Sequence, residues 1–363
     1  MQKILFTPFT INGLTFKNRT IRSATNDYLA DRETGTVTSR QIDLYTELAR
    51  GKVGGIISGF LFIHPSGKSS PGQTGIFSDN HVSGLSELTR AVHKEGGKII
   101  AQLVHGGRQA RPKYCGGEVI APSKVEDTKT RIIPREMTEK EIHTMVQWFI
   151  DGAVRSKEAG FDGIQLHGAH GYLLSQFISP HTNRRQDSYG GTTENRCRIL
   201  IDIIQGIREK LGDKYPLMIK LNTDDFIPGG LVKNESARVA EILDRNGIDA
   251  IEISGGMVES EGSPTTRKDI NSPEEEAYFK EYADAVRSHV KCPLILVGGI
   301  RSIDIMENIL SRNSADMVAL CRPFIREPDL IRKLEIGEQT KAACISCNKC
   351  FNPRGLACPY RED

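Results

Sequence analysis

Ala250-Ile-Glu-Ile-Ser-Gly255, Pro293-Leu-Ile-Leu-Val-Gly-Gly299 and Met317-Val-Ala-Leu-Cys-Arg322 are short apolar runs, each closing on a glycine or a polar residue. Runs this short, rich in Ile, Leu and Val and punctuated by glycine, read as strands covered on both faces, the habit of a parallel sheet. The stretches between them, Pro273–His289 and Ser302–Leu310, carry helical spacing instead. The same alternation extends back through candidate strands Thr20–Thr25, Gly55–Phe62, Lys98–Val104, Gly163–Gly168 and Leu217–Thr223. Helical stretches separate them at Ser39–Arg50, Val82–Glu95, Thr138–Ala159, Thr193–Leu211 and Asn234–Asn246, and Pro328–Gly337 follows the last strand. Start signals support the periodicity: Thr138 with Glu141 has capping-box spacing, and Ser302 precedes Asp304. Eight strand and helix units predict an α/β fold, a (β/α)8 barrel, because each parallel strand needs a right-handed crossover and eight such strands close a sheet.

Working outward, Ile4–Phe9 and Leu14–Lys17 flank Asn12-Gly13, a strong hairpin signal, and are expected to form a lid on the N-terminal mouth of the barrel. The insertion His105–Met137 is expected over the opposite, functional mouth. No Gly/Ser-rich or Pro-rich linker marks a second domain, so the organisation expected is a barrel over residues 1–340 and a short Cys-rich tail over 341–363.

Composition narrows the class of function. Hydrophobic residues are 38% of 363, and 35 glycines bring the apolar share into the soluble globular range, which excludes disorder for most of the chain. The 48 basic and 46 acidic residues leave a net charge of +2 with no basic block, which points away from nucleic acid and anionic membranes as partners. No apolar run approaches the roughly 20 residues of a bilayer span. Met1–Thr25 is interrupted by polar residues every few positions, so no export signal is expected. Eight cysteines are too few for a secreted disulfide scaffold, and a cytoplasmic location is expected.

In a barrel of this kind the chemistry sits at the C-terminal ends of the strands. Gly298 and Gly299 after strand seven, with Arg322 at the end of strand eight, stand where barrels commonly bind a phosphate: backbone N–H groups approach closely and a guanidinium supplies paired donors. His167, His170 and Tyr172, at the end of strand four, converge on one pocket. Two imidazole N–H groups can hold a developing oxyanion while a phenol delivers a proton. The competing reading is a metal site of His105, His167 and His170, for which no carboxylate stands at a matching position. At the other end of the chain, Cys344, Cys347, Cys350 and Cys358 are four thiols with spacing that suits a [4Fe–4S] cluster or a tetrahedral zinc.

The run His167-Gly-Ala-His170-Gly-Tyr172, continuing to Asn183-Arg-Arg-Gln-Asp-Ser-Tyr-Gly-Gly-Thr-Thr-Glu-Asn-Arg196, resembles the central signature of the Old Yellow Enzyme family, the NAD(P)H:flavin oxidoreductases. Asn18-Arg19, Ala101-Gln102 through Arg108-Gln-Ala110, and Ala121-Pro-Ser123 extend the likeness over nearly the whole chain. The resemblance implies FMN across the C-terminal mouth, with Gln102 at the pyrimidine edge of the ring and the backbone of Ser23, Ala24 and Thr25 along its other side. It implies Gly298, Gly299 and Arg322 at the phosphate, His167 and His170 at a substrate oxygen, and Tyr172 as proton donor. Lys220 stands where many members carry Arg against the flavin N1 and C2 carbonyl, keeping the charge without the planar fork. Asn26, or by a one-residue shift Thr25, stands where relatives often place Cys, Thr or His near the C4 carbonyl and N5.

The activity implied is NAD(P)H-driven reduction of an activated C=C bond of enone or enoyl type, with NAD(P)H and a small unsaturated molecule as partners. A homo-oligomer or an electron-transfer partner is compatible with it. Alternatives are amine dehydrogenation or demethylation on the same flavin scaffold and, from a different class, a metal-dependent hydrolase on the same barrel. The cysteine tail is similar to that of the family branch containing 2,4-dienoyl-CoA reductase and trimethylamine dehydrogenase, which implies a [4Fe–4S] cluster, although the spacing departs from the branch pattern.

Overall fold

The computed structural model describes residues 3–260 and 265–361. Eight parallel strands form one closed barrel: β1 (Thr20–Arg22), β2 (Gly55–Ile57), β3 (Ile99–Val104), β4 (Gly163–Gly168), β5 (Leu217–Asn222), β6 (Ala250–Ser254), β7 (Leu294–Leu296) and β8 (Met317–Leu320). Each pairs with the next, and β8 closes on β1 with Val318 opposite Thr20 and Leu320 opposite Arg22. The helices between them are α1 (Ser39–Arg50), α2 (Val82–Lys94), α3 (Glu139–Glu158), α4 (Thr193–Leu211), α5 (Lys233–Arg245), α6 (Lys280–Arg287) and α7 (Ile303–Ser311), with α8 (Leu330–Glu335) after the last strand. The eightfold alternation expected from the sequence is therefore the architecture. Among the described residues no helix is long and apolar enough to cross a membrane.

Four readings of the sequence differ from the structure, each for a local reason. The expected hairpin arm Ile4–Phe9 is a 3-10 turn over Ile4–Phe6, whose Ile4 and Leu5 N–H groups donate to the Glu307 carboxylate (3.1 and 2.7 Å), and the hairpin pairs only Phe9–Ile11 with Leu14–Phe16. The expected strand Gly55–Phe62 is broken, because the Gly59 N–H donates to the Tyr45 hydroxyl (2.6 Å) instead of to a neighbouring strand. The chain then resumes as Leu61–Phe62 beside the end of β3, and Phe60 is released toward the mouth. The expected helix Pro273–His289 is a 3-10 turn, Pro273–Glu275, followed by α6. Between them Ala277 has φ 55°, and the buried Glu276 carboxylate accepts from Arg301 N, Ser302 N and Ser302 Oγ. Ser302 thus begins α7 without capping it through its side chain. Thr138 does cap α3, accepting from Glu141 N while its own N–H donates to Glu141 Oε2 (2.8 Å).

Strand alternation separates two cores. Outward residues such as Leu103, Ile164, Leu166, Ile219 and Ile253 pack with the helices. Inward residues Ile21, Ile57, Ile100, Met218, Ala250, Ile295 and Met317 form a second cluster, and Ile11, Leu14 and Phe16 of the N-terminal hairpin join it. Two residues further along β3, β5 and β6 the inward positions become polar: Gln102, Lys220 and Glu252, all buried. The barrel is thus apolar at one end and polar toward its C-terminal mouth.

The Phe16 ring is fully buried against that apolar layer, and a Cβ on Gly55 would meet it at 2.6 Å. Phe16→Ala is expected to cost roughly 3–5 kcal/mol of unfolding free energy, read from denaturant unfolding. A loss below about 1 kcal/mol would show that the hairpin does not share the barrel core.

Candidate active site

The floor of the mouth is a buried polar network. Lys220 Nζ donates to Ser23 Oγ (2.7 Å) and lies 3.0 Å from Glu252 Oε1. Ser23 Oγ donates to Glu252 Oε1 (2.6 Å), Gln165 Nε2 to Glu252 Oε2 (2.8 Å), and Gln102 Nε2 to Gln165 Oε1 (2.6 Å). Gln102 Oε1 is buried without a partner. Above this floor lie two adjoining cavities of about 260 and 90 Å³ that share Ala24, His170, Lys220 and Cys321 as walls. Together they make a trough across the mouth.

The larger cavity is lined by His167, His170, Tyr172, Phe60 and Gln102. His167 and His170 meet edge to face with ring centroids 5.2 Å apart, and Tyr172 lies 4.8 Å from His167. His170 adopts φ 62°, a left-handed conformation uncommon outside glycine. Its N–H donates to Asn222 Oδ1 (3.1 Å), its carbonyl accepts from Gln109 Nε2 (2.7 Å), and its Nε2 lies 2.7 Å from Ser254 Oγ. His167 Nδ1 is buried without a partner. Burial first, and then the Lys220 charge, holds the His167 imidazole far below its ordinary value; burial, His167 and Lys220 do the same to His170. Both rings are neutral at physiological pH, each with one N–H donor. Burial, reinforced by Tyr28, pushes the Tyr172 phenol up to about 12.

The structure corrects the metal alternative. His105 faces away from this group: its Nδ1 accepts from Gly107 N (3.1 Å), its Nε2 lies 2.9 Å from Ser66 Oγ, and its ring stacks near Trp148. Among the described residues no three His, Cys, Asp or Glu side chains come together as metal ligands.

The smaller cavity contains Gly298 and Gly299 with Arg322. Gly298 has φ 130° and Gly299 φ 72°, and a Cβ on Gly299 would meet the Tyr278 ring at 2.8 Å, so side chains are excluded at both positions. Arg322 Nη1 is committed to protein acceptors, the carbonyls of Arg267 (2.8 Å) and Ser346 (3.1 Å) and Asn348 Oδ1 (2.8 Å). Arg301 also lines this cavity, with its guanidinium donating to the carbonyls of Cys344 (2.7 Å) and Ile270. Thr25 Oγ1 lies 2.9 Å from Cys321 Sγ, and Asn26, on the wall of the larger cavity, donates to Ser70 Oγ (2.6 Å). Cys344, Cys347, Cys350 and Cys358 are free thiols that line one small separate cavity beside Arg322 and Arg326. Burial pushes the Cys350 thiol up to about 12.

Apart from His105, the mouth residues singled out in the sequence lie on the trough or its floor. Four that the sequence reading passed over are Gln165, Asn222, Glu252 and Ser254. A signal for Glu252 exists: it is the single charged letter in Ala250-Ile-Glu-Ile-Ser254, on the same face as the two end residues.

Residues 4–341 match the family described as the NADH:flavin oxidoreductase / NADH oxidase family. The NADH oxidase of Thermoanaerobacter brockii is 39% identical over 347 residues, covering 95% of this chain and 52% of that protein. The NADPH dehydrogenase of Geobacillus sp. (strain WCH70) is 39% identical over 328 residues, covering 90% of this chain and 92% of that protein. The solved structure of a 2-naphthoyl-CoA reductase in complex with 2-naphthoyl-CoA superposes with a TM-score of 0.89 at 30% identity, over 96% of this chain and 54% of that one. The chain thus spans about half the length of the first and third of these relatives and nearly all of the second.

The electrostatics of the group are checked by titration. In an ultraviolet difference titration of the protein against Tyr172→Phe, the tyrosinate signal of Tyr172 is expected to be absent at pH 10, since its phenol is held near 12. A half-point at the ordinary phenol value of about 10 would mean that the ring is solvated.

Proposed function

Because the chain belongs to the NADH:flavin oxidoreductase / NADH oxidase family, we propose that its trough holds FMN and that it uses NAD(P)H to reduce a C=C bond conjugated to an acyl or keto carbonyl. The observation that carries this reading is the convergence of two neutral imidazoles and a protonated phenol on a cavity whose floor offers a buried ammonium and an unpartnered amide oxygen. Gln102 and Lys220 would hold the ring edge, the backbone of Ser23, Ala24 and Thr25 its other side, and Gly298, Gly299 and Arg322 the phosphate. The donor set fits: a flavin ring carries both N–H and carbonyl groups on its pyrimidine edge, and glycines admit the close backbone approach that a phosphate needs. When bound, FMN would supply two-electron redox chemistry, the relay of hydride between the nicotinamide and the substrate β-carbon.

This chain's residues do the rest. The N–H groups of His167 and His170 hold the carbonyl oxygen and stabilise the charge that grows on it as the β-carbon is reduced. Being neutral, they polarise that oxygen without surrendering a full proton. Tyr172 gives its proton to the α-carbon, completing net addition of H2 across the double bond. Its raised pKa keeps the phenol loaded over the whole physiological range. The names of the relatives, NADH oxidase and NADPH dehydrogenase, support the nicotinamide reductant, and the naphthoyl thioester of the structural neighbour supports an acceptor conjugated to a carbonyl.

The second part of the reading concerns residues 341–363 as a tail outside the barrel, with a [4Fe–4S] cluster or zinc on Cys344, Cys347, Cys350 and Cys358. What supports it is a donor set of four thiols on one small cavity; among the described residues the side chains as they stand are not drawn into a ligand set. That all eight cysteines are free agrees with a reducing cytoplasm.

Two measurements test these readings. Tyr172→Phe is expected to leave flavin reduction by NAD(P)H intact and to slow reoxidation by an enone roughly 10²–10⁴-fold in stopped flow; an unchanged rate removes Tyr172 from the proton step. Protein purified anaerobically should contain iron or zinc that Cys347→Ser loses while FMN stays, and metal analysis finding neither element would discard the cysteine site.

A further inference from the structure

Glu252 lies under the trough and, on the reading above, touches neither substrate nor cofactor. We propose that Glu252 is a positioning residue that sets the hydrogen-bond polarity of Gln102 and offsets the charge of Lys220 toward the flavin. The inference rests on the reading that FMN occupies the trough over Gln102 and Lys220.

The polarity of Gln102 follows from what each group can donate and accept. An ionised carboxylate only accepts, whereas a primary amide has an accepting end and a donating end. Glu252 receives Ser23 Oγ and lies 3.0 Å from Lys220 Nζ on one oxygen, and receives Gln165 Nε2 (2.8 Å) on the other. Gln165 therefore has to turn its nitrogen toward Glu252, which turns its oxygen toward Gln102. Gln102 answers with its own nitrogen (2.6 Å). Its oxygen is thereby left buried, unpartnered and on the wall of the trough. Reversing Gln165 would set a carbonyl against the carboxylate; reversing Gln102 alone would set two carbonyls face to face. The trough thus meets a fixed acceptor, complementary to the imide N–H of a flavin pyrimidine ring. The carboxylate selects that polarity through two amides without reaching the ligand.

The charge argument uses the same pair. Lys220 lines both cavities, while Glu252 is fully buried beneath it. Out of water, a carboxylate 3.0 Å from the ammonium offsets much of the field that Lys220 projects upward. A reduced flavin bears negative charge near that position, so the pair holds it less tightly than a lone ammonium would.

The test is the affinity of the full chain for oxidised and reduced FMN, obtained from FMN dissociation and from the midpoint potential measured against reference dyes. Glu252→Gln is expected to weaken binding of oxidised FMN, because Gln165 and Gln102 are free to reverse. It is also expected to raise the reduced-to-oxidised affinity ratio at least tenfold, about 30 mV in midpoint potential for a two-electron couple. Gln165→Met, which cuts the link to Gln102 and keeps the ion pair, should weaken FMN binding with the ratio unchanged. A purely structural role for Glu252 would not separate the two readouts in this way. Where Glu252→Gln alone does not fold, Lys220→Met is compared with Lys220→Met/Glu252→Gln; the double variant should show the higher ratio, since only the single one keeps the carboxylate. A wild-type ratio and affinity in Glu252→Gln, or equal ratios in the second comparison, overturns the proposal. A wild-type chain that binds no FMN overturns the flavin reading and the proposal with it.

Discussion

Inside the barrel the Lys220 ammonium and the Glu252 carboxylate stand 3.0 Å apart and almost wholly out of water. Removing two such charges from solvent costs several kcal/mol per ion even after relaxation, and mutual attraction compensates only where the remaining donors and acceptors are also satisfied. Here Ser23 bridges the two groups and Gln165 takes the second carboxylate oxygen, with Gln102 behind it. These five residues come from the ends of β1 and from β3, β4, β5 and β6, so the network exists only when those strands hold their register around a closed barrel. The pair and the closure depend on each other.

That arrangement needs a dry layer beneath it. Ile57, Ile100, Met218, Ile295 and Met317 fill the barrel below the polar floor, and the hairpin residues Ile11, Leu14 and Phe16 cover them from the N-terminal side. Period-two alternation carries both layers: β3 turns Ile100 and then Gln102 inward, β5 Met218 and then Lys220, β6 Ala250 and then Glu252. The same strands bury Ile219, Leu221 and Ile253 outward against helices, which is why they look apolar except at the inward positions nearest the mouth.

Above the floor, precision comes from loops tied to one another. The left-handed backbone of His170 is a conformation of raised energy that persists because Asn222, Gln109 and a bridge to Met257 hold both sides of it. Arg108 of the β3 loop forms a buried ion pair with Glu259 of the β6 loop, joining the segments that carry Gln109 and Met257. On the opposite rim Arg322 binds carbonyls of residues 267 and 346 and thereby couples the segment that carries Cys344 and Cys347 to the smaller cavity. Both ends of the trough are thus braced by side chains that tie one loop to another.

Much of this was legible before any tertiary contact was known. Eight apolar runs between amphipathic stretches determined the barrel, because burial on both faces and right-handed crossovers leave little alternative. The position of His167, His170, Tyr172, Gly298 and Gly299 at strand ends determined which mouth is the candidate site. Other features lay beyond local pattern. Nothing near Gly59 or Glu276 in the chain announces that a tyrosine hydroxyl, or the N-terminal turn of a later helix, will take their hydrogen bonds and break a strand and a helix. His105 carries the same side chain as His167, yet Ser66 and Trp148 turn it away. Glu252 reads as one charged letter in an apolar strand, and its partners Ser23, Gln165 and Lys220 come from three other parts of the barrel. Periodicity determines which face of an element a residue occupies; only closure of the sheet decides which distant groups meet it there, and in a medium without water those partners decide its charge, its polarity and its use.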